Sequence, residues 1–105
     1  MLGLNMEFRK GIFFLRLNGE LTRFTYVKLL DYILPIIKNK GIKYIVINLS
    51  GIKLIDNVGK NALKSIIKEV KKNKGKGLIC NTKTIFDDNV RVVKNELIAL
   101  TLLKV

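Results

Sequence analysis

The stretch of this chain best placed to do chemistry is Asp56-Asn57-Val58-Gly59. An Asp ahead of an apolar-periodic segment stands where a helix N-cap belongs, accepting backbone N–H bonds, and the same carboxylate could anchor a partner's basic group. Gly59 allows either close approach of a partner backbone or tight packing of the helix on a strand. Lys60, Lys64, Lys68 and Lys71 or Lys72 recur every three or four residues, on the helical face opposite Ala62, Ile66 and Val70. Like charges at that spacing repel by roughly 0.2–0.5 kcal/mol per pair, which an acidic partner or a polyanion would relieve and a solvated face tolerates.

Catalytic chemistry has little to work with. There is no His and a single Cys, Cys80, so disulfide frameworks, His-based zinc sites, catalytic triads and Cys–His dyads are excluded together. Cys80 lies in an apolar run and reads as a small core residue. No Gly-rich phosphate loop or Walker-type Lys-Ser/Thr pair occurs, which argues against nucleotide hydrolysis. The sequence therefore predicts a protein that is not an enzyme and has no cofactor and no metal site.

The elements that must position these residues follow from periodicity. Leu4 to Arg9 and Ile12 to Leu17 are rich in aromatic and β-branched residues around a Lys10-Gly11 break, the pattern of a two-strand hairpin. Asn18-Gly19-Glu20-Leu21 reads as a turn. A helix is expected from Thr22 or Arg23 to about Asn39, its apolar face formed by Phe24, Val27, Leu30, Ile33 or Leu34 and Ile37, with Pro35 costing one backbone bond or bending it. Tyr44 to Leu49 is nearly continuous apolar sequence, as in a central strand covered on both faces. A loop over Ser50 to Ile55 then leads to the Asp56 helix, whose face is Ala62, Leu63, Ile66, Ile67 and Val70, closed by Gly75 and Gly77. Leu78 to Asn81 and Val90 to Val93 are two further short strands, with Thr82 to Asp88 at most a stunted helix or loop between them, and Asn95 caps a last helix. The alternation predicts one small α/β domain over residues 1–105, a mixed sheet of about five strands with interleaved helices and an N-terminal hairpin.

Charge narrows the partners. The 105 residues carry 20 Lys+Arg against 8 Asp+Glu, a formal net charge of +12. That field could steer the protein to nucleic acid or tune it to an acidic protein surface. Phe13, Phe14, Tyr26, Tyr32 and Tyr44 read as core and sheet cover, not as a base-stacking platform, so no specific nucleic acid is expected. The longest apolar runs, Gly11 to Leu15 and Tyr44 to Ile47, are far shorter than the roughly 20 residues of a membrane span, and Met1 to Glu7 lacks a signal-peptide layout. With no transmembrane segment, a cytoplasmic location is expected.

The run from Tyr44 to Leu63, with its Leu49-Ser50 strand end and its Ile55-Asp56-Asn57-Val58-Gly59 helix entrance, resembles the signature of the STAS domain in bacterial anti-sigma factor antagonists. Upstream, Asn18-Gly19-Glu20-Leu21 is similar to the family's Gly-Glu-Leu-Asp turn, with Thr22 standing where that Asp belongs. The resemblance implies a module that docks on an anti-sigma factor with a kinase-like fold, releasing a sigma factor to regulate transcription; other STAS proteins are further implied partners. It makes Thr22, Asp56, Asn57, Val58, Gly59, Lys60, Asn61 and Lys64 the partner-binding residues. Val58 takes the position of the family's phospho-acceptor serine and has no hydroxyl to modify, so the resemblance implies a member without the usual switch. Two alternatives stay open: a basic nucleic-acid-binding protein, and an accessory subunit of a membrane transport assembly, where STAS domains also occur.

Overall fold

The computed structural model describes residues 1–103. Strands β1 (Leu2–Arg9) and β2 (Ile12–Leu21) pair antiparallel through a two-residue turn, with Lys10 at φ 53° and Gly11 at φ 81°. Two successive left-handed residues match the right-handed twist of the flanking strands, which explains the Lys-Gly break. Helix α1 (Tyr26–Lys40), strand β3 (Tyr44–Ile55), helix α2 (Asn57–Lys72), strand β4 (Lys76–Cys80), strand β5 (Val92–Val93) and helix α3 (Glu96–Leu102) follow. The sheet order is β1-β2-β3-β4-β5, with all pairings after the hairpin parallel.

The two faces of the sheet are covered unequally. Leu29, Ile33 and Ile37 of α1 and Leu63, Ile66, Ile67 and Val70 of α2 pack on Phe13, Leu15, Leu17, Ile45, Ile47 and Ile79 in the larger core. On the other face α3 brings Ala99, with Leu103 just beyond it, against Ile12, Phe14, Val46, Leu78 and Cys80. Both faces of β3 are thus buried at Ile45–Ile47, as the unbroken apolar run predicts.

Several boundaries differ from expectation, each for a local reason. Ser50 to Ile55 is not a loop, and Asn18 to Leu21 is not a turn. The two segments pair as continuing parallel strands from Asn18↔Gly51 to Leu21↔Ile55, with register shifts on either side of Asn18-Gly19. The irregularities break the two-residue alternation that marks a strand, while Ile52 and Ile55 still reach the core. Gly51 sits where a Cβ would stand 2.7 Å from Asn18 Cβ and 2.9 Å from the Leu17 carbonyl oxygen, so the bulge itself demands a glycine.

Helix α1 starts at Tyr26 because residues 22–25 form a turn. Phe24 therefore lies outside the helix, and Phe24 and Val27 are exposed instead of forming its apolar face. Pro35 is accommodated because Asp31, whose carbonyl loses its helical donor, is on the solvent side. Gly77 lies within β4, and α2 ends at Asn73, whose amide bonds back to the Val70 carbonyl. Val90 turns inward to the larger core, shortening the final strand to Val92–Val93.

Candidate functional site

The entrance of α2 is built around the Asp56 carboxylate. Its Oδ1 accepts from the Gly59 amide at 2.8 Å, the N-cap bond the sequence predicts. Its Oδ2 accepts from the Arg23 amide at 3.0 Å, on the turn between β2 and α1. The Asp56 amide itself donates to the Leu21 carbonyl at 3.3 Å. Hydrogen bonds from Arg23 and Gly59 hold the Asp56 carboxyl below its ordinary range, aided by the nearby Arg23 charge. A single side chain thus joins two chain segments 33 residues apart.

The turn at 22–25 is fixed by hydroxyls. Thr22 Oγ1 accepts from the Phe24 amide at 3.2 Å, and Thr25 Oγ1 accepts from the Thr22 amide at 2.9 Å while donating to the Glu20 carbonyl at 2.9 Å. Thr22 is 8% exposed, so it shapes the turn from inside. Gly59 is also buried, and a Cβ there would run into the Leu21 carbonyl oxygen. Of the two roles open to Gly59, the structure displays tight helix-on-strand packing. Asn57 and Asn61 are exposed, and Asp56, Val58 and Lys60 are half-buried. Lys64 is half-buried and forms an ion pair with Asp87.

Sequence reasoning missed Arg23 and Phe24 as parts of this surface. Phe24 is 82% exposed, with the Arg23 guanidinium 4.9 Å from its ring centroid. The signal was present in the phase: Phe24 does not fit the Leu29-Ile33-Ile37 series. Of the hydroxyls near this end of the sheet, Thr22 and Thr25 serve the turn, Thr82 accepts from the Thr84 amide, and Ser65 donates to the Asn61 carbonyl. Ser50 is exposed on β3.

A second polar group lies on the opposite face of the sheet. Arg16 makes a two-point contact with Glu96, Nε and Nη2 each donating at 2.8 Å, and its Nη1 donates to Glu7 at 2.8 Å. Asn48 Nδ2 donates to the same Glu96 at 2.7 Å. These bonds raise the Arg16 pKa further and hold Glu96 below the usual carboxylate range. The cluster seats the first turn of α3 on the sheet. Cys80 is buried nearby, and burial pushes its thiol up to about 12, as befits a core residue.

A five-stranded mixed sheet with a leading hairpin, two helices on one face and an Asp-capped helix entrance beside the β2–α1 turn defines an α/β module. The chain belongs to the STAS domain family, whose model matches residues 3–97. An anti-sigma factor antagonist from Mycobacterium paratuberculosis superposes with a TM-score of 0.86 at 18% identity, covering 100% of this chain and 96% of that one. A candidate antagonist from Thermotoga maritima gives 0.87 at 16% identity, with 97% and 95% covered. The antagonist SpoIIAA in its unphosphorylated form gives 0.80 at 17% identity, with 97% and 98% covered. At these identities the likeness establishes the fold. No helix among the described residues is long and apolar enough to cross a membrane.

Proposed function

We propose that this chain is, as a whole, a non-catalytic docking module of the anti-sigma factor antagonist kind, acting in the cytoplasm on an anti-sigma factor with a kinase-like fold. Its contact surface is the α2 entrance together with the 22–25 turn. Asn57, Val58, Lys60, Asn61 and the newly recognised Phe24 face the partner; Asp56, Thr22 and Gly59 set the shape beneath, and Lys64 borders it. The observation that carries the reading is the Asp56 clamp, which presents a half-buried Val58 in the first turn of α2 where the family resemblance implies a serine.

A phosphoserine at that position would bring a charge of about −1.5 to −2 into the contact, where its desolvation opposes docking. Val58 rules out that modification at this site, so docking persists in the presence of ATP. The test is to mix the purified chain with the anti-sigma kinases encoded in its own genome, with Mg-ATP, and follow complex formation by size exclusion and phosphorylation by mass spectrometry. The wild-type complex is expected to survive incubation with ATP, whereas Val58→Ser is phosphorylated and released. No complex with any such kinase, for either form, would overturn the proposal.

A further inference from the structure

The edge of the sheet away from the α2 entrance carries a basic groove that shares only Lys64, at its end, with the docking surface above. β5 pairs with β4 only at Ile79 and Cys80, so among the described residues no strand lies beside Lys76–Leu78 on the side away from β3. The Lys76 amide donates to the Lys43 carbonyl on the β3 side, while the Ile79 amide donates to the Arg91 carbonyl on the β5 side. Hydrogen bonding alternates along a parallel strand, so Gly77 shares the outward direction of Ile79 and turns its N–H and C=O to the open edge.

A cavity of about 280 Å³ opens at this edge, walled by Lys76, Gly77 and Leu78, and adjoins one of about 260 Å³ between α2 and Asn89–Val90; the two share Lys71 and Asn89 in their walls. Buried Ile67 and Val90 form the floor of the smaller, and buried Leu78 and Leu103 with exposed Leu102 line the larger. The charged walls are of one sign: Lys64, Lys68 and Lys71 along α2, and Lys76 and Arg91 across from them. Lys64, Lys68 and Lys71 thus border the groove beside Ile67, where the sequence pattern had set them on the face opposite the core. Asp87, paired with Lys64, is the one acidic partner these five cations have among the described ion pairs.

The geometry points to a second docking site at this edge for an extended acidic peptide segment of a partner protein, added as a short strand beside Lys76–Leu78. Main-chain bonding to Gly77 supplies the register, the apolar surface takes alternate side chains, and the lysines and Arg91 receive the carboxylates between them. This inference is independent of the reading of the α2 entrance.

The test uses the full chain and a labelled ten-residue peptide alternating Glu and Val, with a Lys-Val peptide and an oligo-dT of similar length as competitors. The Glu-Val peptide is expected to bind and the Lys-Val peptide not to. The Gly77 amide should exchange more slowly with solvent in the complex. The Lys71→Glu, Arg91→Glu double variant should bind the peptide about tenfold more weakly or worse, while a Phe24→Ala variant binds it unchanged. Unaltered Gly77 exchange, indifference to the double variant, or tighter binding of oligo-dT in the same groove would each overturn the proposal, the last in favour of a nucleic acid.

Discussion

Replacing Gly59 by Ala sets two effects against each other, and the structure determines which prevails. In an exposed helix interior, Ala in place of Gly stabilises by about 1 kcal/mol through the backbone. Here the added Cβ would collide with the Leu21 carbonyl oxygen and stand 2.9 Å from Leu21 C and 3.0 Å from Leu21 Cγ. The obstacle is the backbone of a buried strand, which cannot yield by changing rotamer, so the first turn of α2 must lift. Overpacking of this kind costs about 1–3 kcal/mol. Lifting also stretches the bond from the Gly59 amide to Asp56, a loss of about 1 kcal/mol more. The balance is a net destabilisation of roughly 1–3 kcal/mol, which for a domain near 100 residues lowers Tm by roughly 4–24 °C.

Thermal and urea unfolding followed by circular dichroism measure it, with Ser65→Ala as the control, because Ser65 is exposed on the same helix. The control should stay within about 0.5 kcal/mol of wild type. A Gly59→Ala protein as stable as wild type, or more so, would refute the claim that α2 is pressed onto the end of β2.

Glu96 is held below the ordinary carboxylate range by Arg16 and Asn48 against the opposing effect of burial. Its contribution to stability is present above the unfolded-state pKa of about 4.3 and is lost as the pH falls through the folded-state value. Glu96→Gln should therefore be less stable than wild type at pH 7, with the gap closing as the pH is lowered to 3; urea midpoints at both values check this, and a constant gap contradicts it. The Cys80 thiol, buried and pushed up to about 12, should be inert to Ellman's reagent in the native protein at pH 8 and titrate fully in guanidinium. Immediate native labelling would show that the strand opens far more readily than its packing implies.

What could be read in the sequence were features whose cause is local. The α2 face appeared whole because Ala62, Leu63, Ile66, Ile67 and Val70 obey one period. The Asp56 cap was legible because its acceptor and donor are three residues apart. The second half of that carboxylate's role was not, since Arg23 is brought to it only by the fold. The Arg16 cluster was invisible for the same reason, its contact with Glu96 spanning 80 residues. The long β2–β3 pairing was misread because irregular register removes alternation where Asn18, Gly19, Ser50 and Gly51 look like turn residues. Phe24 escaped because an exposed aromatic two residues before a helix is easily absorbed into that helix's apolar stripe.

Because the two oxygens of Asp56 grip different parts of the chain, the lip around Val58 is tied to the 22–25 turn. On the proposed docking function, a partner would find that seat already shaped and lose little entropy in waiting for it to form. Mutational differences in affinity at this seat should then show up mainly as differences in how long visitors remain, with arrival rates nearly alike.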